Sequence, residues 1–285
     1  MKGFIKFVGV VLCACCCFLG GAGAFADQPI SSSGSAISNR FEISTYKPNY
    51  VLPFYYTKDP DYSVYSNVSD NQDDVKKTEV KFQISLKVLL ARKFIIPDLA
   101  FFVAYSQLSY WQAYASSAYF RETNFEPEAF VSREFNTKLP LGIYFNQLNA
   151  GFVHQSNGRG GVNERSWNRI YGDFCFQKDF LSVSIKPWIV FHGASYRRYN
   201  PDMTDYLGHG RLKLIYKTHN LVFTLMSRNN IESGFKRGTV DFTFSFPLFK
   251  PIRGYVEIFN GYGQSLIEYN HQATSAGIGF ALNDD

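Results

Sequence analysis

Residues 80–88 read VKFQISLKV, so that an apolar residue at each even position alternates with Lys, Gln or Ser at each odd position. Similar alternation returns in residues 211–217, RLKLIYK, and in residues 240–246, VDFTFSF. Side chains two residues apart lie on one face of an extended strand, so each stretch has an apolar face and a polar face. The pattern predicts β-strands and not helices.

Twelve candidate strands follow one another, separated by turn-rich pieces such as residues 59–61 and 157–161. They cover residues 41–57, 79–92, 98–114, 125–135, 141–155, 166–177, 180–192, 206–217, 220–228, 238–248, 254–263 and 272–282. Most are long enough to cross a bilayer at a tilt, and an even strand number is typical of bacterial outer-membrane barrels. Phe, Trp and Tyr make up 18% of the chain, which suits the aromatic girdles of such barrels. We therefore predict an all-β protein, a twelve-stranded antiparallel transmembrane β-barrel in the outer membrane.

The N-terminus has the features of a cleaved secretory signal. Lys2 and Lys6 precede an apolar run at residues 7–19, and an A-x-A cleavage pattern ends at Ala26. We predict a signal peptide at residues 1–26, a flexible N-terminal segment at 27–40 and the barrel at 41–285.

Composition argues against two classes of protein, disulfide-linked domains and nucleic-acid-binding proteins. Four of the five cysteines lie in the predicted signal peptide, so the mature chain keeps only Cys175 and forms no internal disulfide. The formal charge of +5 falls to +3 without Lys2 and Lys6, which is too mild to indicate nucleic-acid binding. Cys175 falls on the inward face of its strand, where an inert small side chain is expected.

Polar residues stand out on the apolar face of two neighbouring strands. In residues 151–159, GFVHQSNGR, the side chains of His154 and Ser156 share a face with Phe152, and this face is the lipid-facing one in a membrane barrel. After the glycine-containing turn, Asn168 has the same parity as Ile170. Polar side chains have no structural reason to face lipid, so they indicate a functional site.

Ester hydrolysis needs a hydroxyl nucleophile, an imidazole base, a group that orients the imidazole, and donors for the oxyanion. Ser156, His154 and Asn168 suit the first three roles, and the backbone N–H of Gly158 suits the fourth. A His-x-Ser pair on a strand is more often structural than catalytic. Its place on the lipid side is what favours the catalytic interpretation.

This region closely resembles the signature of the outer-membrane phospholipase A family, which is His-x-Ser-Asn-Gly-Arg, a short loop, and Arg-Ser-Trp-Asn-Arg. The matching segments here are residues 154–159 and 165–169. Residues 107–112, QLSYWQ, and 120–127, FRETNFEP, also resemble the family. With the strand pattern, the resemblance covers most of the mature chain.

The resemblance implies a calcium-dependent serine hydrolase on the outside of the barrel, active as a homodimer on membrane phospholipids and lysophospholipids. His154 would be the general base, Ser156 the nucleophile and Asn168 the imidazole partner. Calcium would be held by the Arg159 carbonyl, by Glu164, and by a serine of the facing subunit that best matches Ser117. The residues implied for the dimer interface and the oxyanion hole are Gln107 and Gly158.

Departures from the family pattern and two alternatives remain open at this point. The family is expected to have Ser where this chain has Glu164, and a carboxylate is the stronger ligand for a hard cation. The segment before Phe120 is short, which affects the match of Ser117. The alternatives are a non-catalytic outer-membrane barrel, either a pore or a structural protein, and a soluble periplasmic β-sandwich.

Overall fold

The computed structural model describes residues 42–65 and 75–283, and its architecture is an antiparallel sheet closed into a barrel. The strands are β1 Glu42–Thr45, β2 Asn49–Thr57, β3 Thr78–Ala91, β4 Leu99–Trp111, β5 Phe120–Lys138, β6 Tyr144–Ser156, β7 Ser166–Lys178, β8 Leu181–Phe191, β9 Gly210–Thr218, β10 Leu221–Arg228, β11 Thr239–Phe249, β12 Ile252–Tyr262 and β13 Gln272–Asn283. Each strand from β2 to β13 pairs with its neighbours in sequence, and β13 pairs with β2. These twelve strands therefore leave no open edge.

The short β1 also pairs with β3, beyond the part of β3 that pairs with β2, and Glu42 lies opposite Leu89. Residues 41–57, predicted as one strand, are thus interrupted between Thr45 and Asn49. The prediction of a strand from residue 206 was also wrong at its start, because Tyr206 and Leu207 end a short helix. Gly208 follows this helix with a φ of +65°, and the strand begins at Gly210.

The two ends of the barrel differ in the length of their connections. One end has turns at residues 92–98, 139–143, 179–180, 219–220 and 250–251. The other end has residues 58–65 and 75–77 and the connections 112–119, 157–165, 192–209, 229–238 and 263–271. Two short helices, α1 (Ala194–Tyr199) and α2 (Met203–Leu207), lie in the 192–209 connection. No helix among residues 42–65 and 75–283 is long and apolar enough to span a membrane.

The burial of side chains along β3 distinguishes between two predicted classes of protein, a membrane barrel and a soluble sandwich. Ile84 and Leu86 on the outer face are 49% and 43% exposed, whereas Lys81 on the inner face is 4% exposed. A soluble protein has the reverse arrangement, because burying a charge in place of an apolar side chain is costly. The strand pattern therefore matches a barrel whose outer wall contacts lipid.

The interior is filled by paired charges. Lys81 is paired with Glu257 on β12, and Arg121 on β5 lies 2.7 Å from both Glu79 and Glu268. Buried charges are tolerated when they are paired and hydrogen-bonded in this way. Lys81 and Arg121 therefore belong to a packed polar network inside the barrel.

Residues 264–269 of the long 263–271 connection are all buried, and we call them the plug loop. Gln264 donates to the Tyr55 hydroxyl at 2.9 Å, and the Leu266 N–H donates to Asn124 Oδ1 at 3.0 Å. Glu268 joins the plug loop to Arg121. The loop thus folds inward and is fixed to the inner wall at the end of the barrel that carries the long connections.

Candidate active site

The predicted site residues come together on the outer face of β6 and β7. His154 lies directly opposite Asn168, and Ser156 lies opposite Ser166. The distance from His154 Nδ1 to Asn168 Oδ1 is 2.8 Å. When Nδ1 carries the proton and donates it to this amide oxygen, the lone pair of Nε2 is available as a base.

The surroundings of this pair are apolar. Phe152 and Ile170 are 44% and 48% exposed on the same face, and Phe191 of β8 is the cross-strand neighbour of Asn168. Ser156 Oγ has no hydrogen bond to His154 within 3.5 Å in the described part of the chain. Catalytic hydrogen bonds often tighten only when substrate binds. A distance beyond 3.5 Å is therefore compatible with Ser156 as nucleophile and His154 as its base.

The turn after Ser156 is held by Asn157. Its Oδ1 accepts the backbone N–H groups of Arg159 (3.3 Å) and Arg165 (3.0 Å), and its Nδ2 donates to the Asn163 carbonyl at 2.9 Å. One buried side chain therefore fixes both ends of the 157–165 connection, which we call the catalytic turn.

Gly158 occupies a position that other residues adopt with difficulty. Its φ is +66°, and a Cβ added there would lie 2.9 Å from Cε2 of Phe125 on β5. Left-handed backbone geometry favours glycine. The glycine thus lets the turn pack against the Phe125 ring directly after Ser156.

Two further regions of the chain contact the catalytic turn. Arg159 Nε donates to Glu122 Oε2 at 3.0 Å, and its Nη2 donates to the Arg121 carbonyl at 2.6 Å. Asn200, at the end of α1, hydrogen-bonds the backbone N–H and C=O of Ser166 at 3.3 and 3.1 Å. The turn is therefore supported by β5 on one side and by the 192–209 connection on the other.

Glu164 lies in this turn, where one of its carboxylate oxygens accepts a hydrogen bond from the Ser195 hydroxyl on α1. Ser117 is exposed in the 112–119 connection, at the same end of the barrel as the turn. Ser117 and Glu164 therefore share an end of the barrel.

Gln107 lies on the outer wall of β4, with its side chain bonded to Tyr105 and Ser109 at 3.1 Å each. Phe125 is the cross-strand partner of Gln107 on one side and of Ser156 on the other. Gln107 and Ser156 are therefore two strands apart in one row across the outer face.

The sequence is similar to known phospholipases over most of its length. The family model described as Phospholipase A1 matches residues 27–282. The Phospholipase A1 of Klebsiella pneumoniae is 36% identical over 86% of this chain and 84% of its own. The Putative phospholipase A1 of Neisseria meningitidis serogroup B is 34% identical over 85% of this chain, which spans 65% of that longer protein.

The barrel also matches solved structures. The outer membrane phospholipase dimer of Salmonella typhi with bound calcium has a TM-score of 0.79 and 35% identity, covering 87% of this chain and 95% of that chain. An active-site mutant of Escherichia coli outer membrane phospholipase A, in which an asparagine is replaced by alanine, has a TM-score of 0.77 and 31% identity over 87% and 95%. The chain belongs to the phospholipase A1 family.

Membership of the phospholipase A1 family confirms the predicted resemblance, the twelve-stranded outer-membrane barrel and the assignment as a phospholipase enzyme. The soluble sandwich is excluded by the barrel. The predicted signal peptide and the 27–40 segment lie outside the described residues, and their boundaries stay predictions.

The S. typhi relative holds bound calcium, a cation that prefers oxygen ligands. Within residues 42–65 and 75–283, no three His, Cys, Asp or Glu side chains form a metal site on a single chain. The carbonyls of Val162, Asn163 and Glu164 accept hydrogen bonds, whereas none of the hydrogen bonds found among the described residues uses that of Arg159. Calcium takes six to eight oxygen ligands. The Arg159 carbonyl and the Glu164 carboxylate fit this chemistry but supply only part of the set.

Sequence reasoning missed three contributors to the site. These are Glu122 and Ser195, which bind the catalytic turn, and Asn200, which binds Ser166 directly after it. Glu122 falls within the FRETNFEP stretch that resembles the family. The sequence therefore marked this stretch but did not indicate that Glu122 contacts Arg159. Ser195 and Asn200 lie in the 192–209 connection, which carries no local motif that indicates a contact with β7.

Proposed function

We propose that this chain is a calcium-dependent phospholipase of the outer membrane that hydrolyses acyl esters of phospholipids and lysophospholipids of the A1/A2 type. The observation that carries the proposal is the 2.8 Å contact between His154 Nδ1 and Asn168 Oδ1 on the lipid-facing wall, beside Ser156. The E. coli relative in which an asparagine was replaced is described as an active-site mutant, which supports a catalytic role for Asn168.

In the proposed first step, Ser156 Oγ attacks the ester carbonyl while His154 Nε2 takes its proton. Asn168 keeps the imidazole in the tautomer that leaves Nε2 basic, and the Gly158 N–H donates to the oxyanion. The tetrahedral intermediate then expels the glycerol oxygen, which receives the proton from His154.

The resulting acyl-serine is cleaved by water. His154 removes a proton from the water as it attacks the acyl carbon, and then returns the proton to Ser156 Oγ as the fatty acid leaves. Each turnover therefore consumes one water and regenerates both side chains. The substrate reaches this wall from the bilayer itself, so no channel through the barrel is needed.

Calcium would be held by the Arg159 carbonyl and by Glu164, with Ser117 of a second subunit and water completing the oxygen ligands. Bound calcium would supply positive charge beside the developing oxyanion. The calcium-bound dimer of the S. typhi relative supports this part of the proposal. Gln107, in the same outer row as Ser156, is the proposed interface residue. Dimerisation would thus complete the site and act as the switch for activity.

The test is fatty acid release from phospholipid by the refolded protein in detergent micelles, with calcium or with chelator. Release should need calcium and vanish in Ser156→Ala, while Ser182→Ala, on β8 near the other end of the barrel, should behave as wild type. Cross-linking in the same samples should detect a calcium-dependent dimer that Gln107→Ala weakens. No release from cross-linked wild type with calcium would favour the alternative of a non-catalytic barrel.

A further inference from the structure

Glu122 on β5 connects two parts of the molecule that are distant in sequence. Its side chain is fully buried. One carboxylate oxygen accepts the Asn124 amide at 2.9 Å and the Ile267 backbone N–H at 3.2 Å, and the other accepts Arg159 Nε at 3.0 Å. The same carboxylate therefore contacts the plug loop and the catalytic turn.

Charge pairing makes the contact with Arg159 specific. The neighbouring Arg121 is bound to Glu79 and Glu268, each at 2.7 Å. Arg159 is the cation within 4.0 Å of the Glu122 carboxylate among the described ion pairs. A buried carboxylate without its partner is strongly unfavourable, so the pair holds the Arg159 side chain in place.

The hold on Arg159 also fixes the backbone next to it. The Nη2 group of Arg159 donates to the Arg121 carbonyl at 2.6 Å, so the guanidinium is bound at two points of β5. Gly158, directly before Arg159, has no Cβ to limit its conformation and keeps a φ of +66°. Asn157 Oδ1 also accepts the Arg159 backbone N–H at 3.3 Å, so the residue directly after Gly158 is anchored through both its backbone and its side chain.

We propose that Glu122 is a positioning residue for the catalytic turn. By binding Arg159 it sets the orientation of the Gly158 N–H, and by accepting the Ile267 N–H it makes this orientation depend on the seated plug loop. The proposal rests on the function proposed above, in which Gly158 donates to the oxyanion. Displacement of the plug loop would then lower the rate without touching the substrate.

The test compares Glu122→Gln with Glu257→Gln. Glu257 is a similarly buried carboxylate that pairs with Lys81, and among the described residues it has no hydrogen bond or ion pair to Glu122 or Arg159. Because misplacement by about 1 Å can cost about 10²-fold in rate, Glu122→Gln should lower kcat by about that factor with KM within about twofold. Glu257→Gln should leave kcat of the folded fraction unchanged.

A second measurement does not depend on activity. Hydrogen exchange of residues 157–165 should become faster in Glu122→Gln and stay unchanged in Glu257→Gln, and both are measured on the Ser156→Ala background. Faster exchange without hydrolysis by the wild type would contradict the proposed function and not the positioning role. Unchanged exchange together with an active wild type would overturn the positioning role alone.

Arg159 provides the remaining variants, because its partly exposed side chain forms the other half of the ion pair. Arg159→Met should reproduce the loss in kcat, Arg159→Lys should restore part of it, and Glu122→Gln with Arg159→Met should lose no more than either alone. Full additivity of the two changes would contradict the proposal, and a wild-type kcat in Arg159→Met would contradict it even if Glu122→Gln fails to fold.

Discussion

At the scale of single residues, the site depends on hydrogen bonds between adjacent strands. His154 and Asn168 are cross-strand partners, so the β6–β7 register alone brings them within 2.8 Å. Neither side chain needs a loop to position it. The pairing of β6 with β7 thus sets the geometry of this hydrogen bond.

The role of Asn168 gives the first prediction. Asn168→Ala removes the group that orients the imidazole, so fatty acid release should fall by about 10²-fold while the barrel stays folded. Asn146→Ala is the matched control, because Asn146 also bonds across β6 and β7, to Gln177 at 2.9 Å, near the other end of β6. Equal activity of the two variants would rule out the proposed role of Asn168.

Gly158 gives the second prediction. Gly158→Ala places a Cβ 2.9 Å from the Phe125 ring at a φ of +66°, a strain of about 1–3 kcal/mol that the turn relieves by moving. Fatty acid release should fall by at least about tenfold, as when an oxyanion donor is misplaced. Gly160→Ala is the control, since nothing lies within 4 Å of a Cβ there. A wild-type rate in Gly158→Ala would argue against the Gly158 N–H as donor.

At the scale of elements, the long connections at one end of the barrel support one another. His209, before β9, and Glu232, in the 229–238 connection, form an ion pair at 2.5 Å, and Glu232 also accepts the His209 N–H at 2.8 Å. Arg237 and Asp205 bridge the same two connections at 3.3 Å. The 192–209 connection, which contacts the catalytic turn through Ser195 and the start of β7 through Asn200, is thus itself held in place.

The His209–Glu232 pair gives the third prediction, a dependence on pH. The hydrogen bond to Glu232 raises the pKa of His209 above 6.5, and the hydrogen bonds from His209 lower the pKa of Glu232 below 4.5 although burial opposes this. The His209 contribution is therefore complete below about pH 6.5 and is lost as pH rises through its folded pKa. The Glu232 contribution is present above about pH 4.5 and is lost as pH falls through its lowered pKa.

The pair should thus stabilise most between about pH 4.5 and 6.5. The measurement is the urea midpoint of wild type and His209→Gln in detergent at pH 5.5 and 8.5. The urea midpoint of the variant should lie below that of wild type at pH 5.5, and the difference should be smaller at pH 8.5. An equal difference at the two pH values would contradict the assignment.

At the scale of the whole molecule, the barrel is built with its charges inside and its apolar residues outside. The interior pair of Lys81 and Glu257 joins β3 to β12 across the lumen, and the rings of Tyr55 and Tyr110 lie within 5.5 Å of the Lys81 ammonium. The free energy of unfolding should therefore fall more when one partner of such a pair is lost than when both are lost.

This pair gives the fourth prediction. Lys81→Met should lower the free energy of unfolding by about 3–5 kcal/mol, because it leaves the Glu257 carboxylate buried without a cation. Adding Glu257→Gln should recover most of the loss. Urea unfolding in phospholipid vesicles measures both changes, and a double variant no more stable than Lys81→Met would show that the pair does not act as one unit.

The period of two along the strands predicted the twelve strands of the ring, because a polar–apolar alternation determines which face meets lipid wherever the strands pair. It also placed His154, Ser156 and Asn168 on one face. The start of β9 and the break between β1 and β2 were not predictable in this way. The start of β9 depends on the turn at Gly208. The break depends on residues 46–48, which connect β1 to β2.

What the sequence by itself determined is the barrel, the parity of the three polar residues and the family motif around them, because these follow from local spacing. Only the tertiary structure decided that Glu122 and Ser195 bind the catalytic turn, that Asn200 binds Ser166 directly after it, and that the plug loop binds Glu122. Those contacts join residues about 30 to 145 positions apart. Closure of the ring and inward folding of a loop bring them together, and no local period in the chain records either event.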